Sequence, residues 1–256
     1  MLHNKIKHAL KNDEPVFGVG VTFPVDLPTL RTLEVGGVEW LFLDLEHGSA
    51  DISGLLDVAQ VSKLLGMDGV ARIPNLDYHW VARSLDTGLL SVMIPRVEHR
   101  EQAEMAVQWV KHPPLGIRGM GSPSQFDYST LPYAERVEIS NRETMVVLQI
   151  ETVEAVDNVE AIASVPGVDA LFIGPLDLSL TLGMPGDVAS DQSHELFRRV
   201  CRAARSHDLA VGLVCTAQQV RFYYDMGMRM FSIGSALSHM RTQVQAVEAE
   251  FRRQLS

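Results

Sequence analysis

Apolar, β-rich runs alternate with amphipathic stretches from one end of the chain to the other, and no other feature restricts the fold as strongly. The runs are VFGVGVTF (16–23), EWLFLDL (39–45), GVARI (69–73), LLSVMI (89–94), TMVVLQI (144–150), DALFIG (169–174), LAVGLVC (209–215) and RMFSIG (229–234). Helix-like segments fall near 27–35, 53–65, 78–87, 98–111, 153–164, 194–206, 217–226 and 237–253, and QAEMAVQWV carries the spacing of one apolar helix face. Several runs are apolar on both faces, as strands of a parallel sheet covered by helices must be. Strand–helix alternation repeated about eight times predicts an α/β fold, a (β/α)8 TIM-type barrel, with a doubly wound open sheet as the alternative. The 256 residues suit a single barrel domain over 1–256. The one long irregular stretch, HPPLGIRGMGSPSQFDYST (112–130), reads as a functional loop rather than a domain boundary.

Hydrophobic residues make up 46% of the chain and charged residues 21%, which allows a sizeable core and excludes a disordered class. The formal net charge of -10 argues against a nucleic-acid backbone or an anionic membrane surface as the main partner. A small anionic substrate stays open, because a few arginines in a cleft override the net field locally. Cys201 and Cys215 form neither a disulfide framework nor a CxxC pair. The opening MLHNKIKHALKNDEP is too polar for a secretory signal, and no apolar run approaches the ~20 residues of a membrane span. A cytoplasmic setting is expected.

Barrels place their chemistry at the C-terminal ends of strands and in the loops that follow. LFLDLEHGS (41–49) closes its run with Asp44, Glu46 and His47, then Gly48. The third run delivers Arg72, the fifth Gln149 and Glu151, and the sixth, through GPLDLS, Asp177. Glu151 and Asp177 lie one strand–helix–strand unit apart, so neighbouring strands would set both carboxylates side by side. Two carboxylates without a nearby Cys or His suit a hard divalent cation such as Mg2+ or Mn2+. The other reading of ETVEA is a helix start with Thr152 as N-cap. A buried Arg72 needs an anionic partner, either a substrate or a structural salt bridge. A lone histidine is commonly structural, but His47 follows two acids and precedes a glycine, which favours function.

The absences narrow the chemistry. Lys5, Lys7, Lys11, Lys63 and Lys111 all lie away from strand ends, whereas a Schiff-base aldolase needs a lysine inside the barrel. Neither cysteine has a convincing base beside it. SIGSALSHM, on the last run, offers a phosphate-binding alternative.

LFLDLEHGS, VARIPNLD, SLDTGLLSVMIPRVEHREQAE, HPPLGIRGMGS, VVLQIETVEAVDNVEAI and GVDALFIGPLDLSLTLG together resemble the HpcH/HpaI family of metal-dependent class II pyruvate aldolases, in order from about residue 14 to 236. The family includes 4-hydroxy-2-oxoheptanedioate and 2-dehydro-3-deoxyglucarate aldolases. The resemblance implies a homohexamer, a trimer of dimers, with C-terminal helices exchanged between partners. It implies that Glu151 and Asp177 hold a divalent metal (Mg2+, Mn2+ or Co2+), that Gln149 binds substrate, and that the backbone N–H groups of Leu176 and Asp177 hold the pyruvyl carboxylate. It assigns Arg72 to the enolate oxygen, His47 to the general base, Asp86 to the acid that raises its basicity, and Val214 to the aldehyde end of the pocket. Leu176 departs from the small residue the family often has there.

The implied reaction is aldol cleavage of a 4-hydroxy-2-oxoacid to pyruvate and an aldehyde, or its reverse, through a stabilised pyruvate enolate. His47 would take the 4-hydroxyl proton, with Asp44 and Glu46 ordering metal-bound waters around it. The rival readings are enolate condensation on another acceptor, for which citrate-making relatives are the precedent, and a catalytically silent barrel serving as a scaffold.

Overall fold

The computed structural model describes residues 2–255. Along the chain the elements are α1 (Lys5–Lys11), β1 (Val16–Val21), α2 (Leu27–Val35), β2 (Trp40–Asp44), α3 (Ile52–Leu64), β3 (Asp68–Arg72), α4 (Tyr78–Asp86), β4 (Ser91–Ile94) and α5 (Arg100–Val110). There follow α6 (Tyr133–Glu143), β5 (Met145–Ile150), α7 (Val153–Asp157), α8 (Val159–Ala163), β6 (Ala170–Ile173), α9 (Pro175–Thr181), α10 (Asp191–Ser206), β7 (Ala210–Cys215), α11 (Val220–Met226), β8 (Met230–Ser235) and α12 (Ala236–Leu255). The strands run parallel in sequence order and β8 pairs with β1, which closes the barrel and sets aside the open sheet.

All eight expected strands form. Three helices were not expected: α1, α6 and α9. The first has only seven residues and starts from a polar terminus, where Asn4 accepts a hydrogen bond from the Lys7 amide. Ile6 and Leu10 on its inner face join Trp40, Val70, Met145 and Met230 in the lumen cluster, so α1 plugs the amino-terminal end of the barrel. The second is polar over most of its surface and buries only Ile139, Ser140 and Glu143. The segment near 153–164 divides into α7 and α8 at Asn158.

Side chains alternate along each strand, one set facing the lumen and the other the helices. The outward set (Val146, Leu148 and Ile150 on β5, Leu171 and Ile173 on β6) packs beneath the helices. The inward set changes character with height: Trp40, Phe42, then Asp44 on β2; Val70, then Arg72 on β3; Met145, Val147, then Gln149 on β5. Aromatic packing fills the lower lumen, with Phe42 stacked on Phe172 at 5.8 Å between ring centroids. Gly18 makes this packing possible, because a Cβ there would lie 2.2 Å from the Trp40 ring. The apolar fill stops one layer below the carboxy-terminal mouth, and the charged layer begins there.

Candidate active site

Asp44 and Arg72 are register partners on β2 and β3. Arg72 Nε donates to Asp44 Oδ1 at 3.1 Å and Nη2 to Oδ2 at 2.8 Å, while Nη1 lies 3.3 Å from Glu46 Oε2. The guanidinium sits 5.1 Å from the centroid of the Phe42 ring. This fork geometry holds a buried cation rigidly at the mouth. Burial by itself would raise the Asp44 carboxyl, but the hydrogen bonds and charge of Arg72, with the Glu46 and His47 amides, outweigh it and hold the group below its ordinary range. Asp44 therefore commits its oxygens to Arg72 and to the amides of Glu46 and His47. Glu46 is left nearer the open mouth, with His47 Nε2 3.8 Å from its Oε2. Gly48 permits the turn, since a Cβ there would lie 2.0 Å from the Asp44 carbonyl oxygen. The His47 side chain is 65% exposed, so the turn presents it to whatever enters.

Across the mouth, Glu151 follows β5 and is only 2% exposed. It accepts a hydrogen bond from the Arg96 amide at 2.9 Å and one from Gln149 Nε2. Burial is the main cause that pushes its carboxyl up to about 7; Asp177 and Glu46 add to the rise, and the Arg96 amide and Arg72 oppose it. Gly174 is the close neighbour: a Cβ there would lie 2.6 Å from Glu151 Cβ and 2.9 Å from Gln149 Nε2. Arg96 was missed by sequence reasoning. Its contribution is a backbone amide, aimed by a positive φ of 51° that a non-glycine residue rarely adopts, and no residue pattern announces it. Thr152 caps α7 by accepting from the Ala155 amide, so the cap reading of ETVEA holds, and it falls on Thr152 and leaves the Glu151 carboxylate out of the cap.

Asp177 lies in the first turn of α9. Pro175 has no N–H, and the Leu178 amide donates to the Gly174 carbonyl at 3.0 Å. That leaves Leu176 and Asp177 as the first-turn amides with no intrahelical acceptor. The Leu176 side chain is 63% exposed at the rim. Val214 faces the upper lumen from β7 and is 39% exposed, unlike Leu213 and Cys215 on either side.

A divalent cation fits this end of the barrel. Buried Glu151 has negative neighbours in Asp177 and Glu46, and Gln149 Oε1 is buried without a hydrogen-bond partner among the described residues. An all-oxygen donor set of this kind suits a hard ion.

One expected pairing does not form within the chain. Asp86 ends α4, at the amino-terminal end of the barrel, and accepts a hydrogen bond from Arg118 Nη2 at 3.0 Å. His47 is at the opposite end, so the two do not meet within one chain. The loop at 112–130 lies at that same closed end, anchored where Ser122 and Ser124 hydroxyls donate to the Asp86 carbonyl. At the end of β8, the Ser235 and Ser238 amides donate to each other's hydroxyl oxygens, which takes two donors from the phosphate reading. No helix among the described residues is long and apolar enough to cross a membrane.

The chain is similar to a 5-keto-4-deoxy-D-glucarate aldolase of Klebsiella pneumoniae, at 31% identity over 252 residues, 98% of this chain and 97% of the relative. It superposes on a HpcH/HpaI aldolase/citrate lyase family protein of Burkholderia cenocepacia with a TM-score of 0.90 at 28% identity, covering 97% of this chain and 99% of the other. A citrate synthase, SbnG, shares the fold at a TM-score of 0.87 and 22% identity, over 97% and 98% of the two chains. With residues 28–242 matching the family's sequence model, the chain belongs to the HpcH/HpaI aldolase/citrate lyase family and is a carbon–carbon lyase.

Proposed function

We infer that the protein is a divalent-metal-dependent aldolase that cleaves a 4-hydroxy-2-oxoacid to pyruvate and an aldehyde, and runs the reverse condensation. The observation that carries this reading is the buried Glu151 carboxylate, set beside Gln149 and among negative neighbours, across the mouth from a fixed Arg72. Glu151 and Asp177 would hold the cation, which when bound supplies Lewis acidity to the 2-oxo group.

The chain's own groups do the rest. The Leu176 and Asp177 amides at the start of α9 receive the pyruvyl carboxylate. Gln149 Oε1 orients the bound acid. Arg72, already locked by Asp44, stabilises negative charge on the 2-oxygen as the enolate develops, and its rigidity means little reorganisation at that moment. His47 Nε2 takes the 4-hydroxyl proton. The C3–C4 bond breaks, its electron pair passes to the C2–C3 enolate, and C4 leaves as the aldehyde past Val214. Pairing of Asp86 with His47 is proposed between subunits, since one barrel keeps them at opposite ends. The exposed row Met240, Val244, Val247 and Phe251 on α12, at helical spacing with no buried residue on that helix, supports C-terminal helix exchange within a hexamer. Two buried free thiols, Cys201 and Cys215, fit a reducing cytoplasmic compartment.

The test is a panel of aldehydes with pyruvate, assayed in metal-free protein and after addition of Mg2+, Mn2+ or Co2+, with acyl thioesters as competing acceptors. Aldol products that appear only with metal support the reading. Full activity in protein shown metal-free by elemental analysis overturns the metal role, and thioester condensation alone favours the citrate-synthase-like alternative.

A further inference from the structure

At the closed end of the barrel, far from the mouth, three side chains converge. His3 precedes α1, His8 lies within it, and Glu143 is the last residue of α6. His8 Nε2 is 2.9 Å from Glu143 Oε2, and His3 Nδ1 is 3.7 Å from the same oxygen. The three ligand atoms lie within 4.8 Å of one another. The two imidazoles stack at 4.7 Å between centroids with 26° between their planes.

Ion pairing with Glu143 accounts for one imidazole better than for two. Glu143 is already balanced by Arg142, whose Nε donates to Oε1 at 2.8 Å, and Oε2 accepts from the Asn4 amide at 3.1 Å. One imidazole completes the shell of Oε2. The second, at 3.7 Å, is too distant to hydrogen-bond, and two protonated rings this close would repel. A cation between them turns the convergence into ligation.

We propose that His3, His8 and Glu143 form a second metal site, taking a borderline divalent cation of the Zn2+ type. Two imidazole nitrogens and one carboxylate oxygen are its usual ligands, with an open position left for water. The all-oxygen set at the mouth prefers a hard ion, so the two ends of the barrel select different metals. Ligands from α1 and from the end of α6 make the bound ion a clamp on the helix that plugs the lumen. The His3 side chain is 57% exposed, which leaves an entry path.

The test titrates Co2+, a coloured stand-in for Zn2+, into full-length protein with Mg2+ in large excess to occupy the mouth. One equivalent should bind with visible d–d absorption. His3→Ala and His8→Gln, both at partly exposed positions, should each lose that equivalent and its absorption. Zn2+ should raise the melting temperature of the wild type and leave that of His3→Ala unmoved. Mg2+-dependent cleavage by His3→Ala should equal the wild type. Equal Co2+ uptake and spectra in wild type, His3→Ala and His8→Gln would overturn the proposal, as would the absence of any equivalent in the wild type. Glu151→Gln separates this outcome from failure of the aldolase reading, because it removes the ligand at the mouth and should leave the Co2+ equivalent intact.

Discussion

Replacing Arg72 with methionine tests how far one side chain serves both the fold and the chemistry. The guanidinium makes both hydrogen bonds to Asp44 and faces Glu46 at 3.3 Å, in a layer where Asp44 is buried. The methionine keeps the packing over Phe42 and strands a carboxylate whose remaining donors are two backbone amides. Removing one partner of a buried pair costs about 3–5 kcal/mol. At roughly 2–4 °C per kcal/mol for a chain of this size, the melting temperature should fall by about 6–20 °C. Removing both partners, in Asp44→Leu/Arg72→Met, should recover much of that loss, because a buried pair replaced by apolar groups is often neutral. His47→Ala should contrast with both. Its side chain is 65% exposed, so the fold should change by no more than about 0.5 kcal/mol. Aldol cleavage should nevertheless drop by about 10²–10⁴-fold, the usual contribution of a positioned base. The assay is thermal melting of the three metal-loaded variants, with aldol cleavage and oxaloacetate decarboxylation measured on the folded fraction. Decarboxylation needs the enolate but no hydroxyl proton transfer, so His47→Ala should keep much of it and Arg72→Met should lose it. An Arg72→Met protein that melts like wild type, a double variant no more stable than the single one, or equal loss of both activities in His47→Ala would refute the reasoning.

Gly174→Ala should weaken Mn2+ binding by about tenfold, read by titration calorimetry, since outer contacts of a metal ligand are worth about that much; its Cβ would arrive 2.7 Å from Glu151 Oε2. Unchanged affinity would mean that this carboxylate moves freely. Acid should remove the Asp44 contribution to stability. Its folded carboxyl sits below the ordinary value of 3.8, so the unfolded chain binds more protons in that window. The contribution is full above that value and disappears as pH falls through the lowered one. The gap in urea midpoint between wild type and Asp44→Asn should therefore narrow from about pH 5 to about pH 3. Pyruvate with borohydride should leave the intact mass unchanged. Burial, then the neighbouring charge of Lys7, pushes Lys111 down to about 7, but this lysine donates to the Thr144 carbonyl at 2.7 Å, at the closed end of the barrel. A reduced pyruvyl adduct would refute that assignment.

Local pattern made the barrel legible. Runs such as TMVVLQI bury both faces, and only a helix-covered parallel sheet provides for that. The same pattern marked Arg72, Gln149 and Glu151 as candidates, because an apolar strand that ends in a polar residue offers it at the mouth. Segments with weak periodicity stayed hidden. The seven residues of α1 are too few to show a face, and α9 opens with Pro175 where the chain reads as a continuing strand end.

The sequence by itself determined which runs become strands and which residues each strand end offers, since these follow from spacing along one element, whereas closure of β8 on β1 came from the tertiary structure. Only the tertiary structure decided the pairings. It gave Asp44 to Arg72, put the Arg96 amide on Glu151, sent Asp86 to Arg118 at the far end from His47, and brought His3 and His8 to Glu143. These contacts join residues 28, 55, 32 and up to 140 positions apart. Their formation depends on barrel register and on how each helix returns beneath the sheet, and local spacing contains neither.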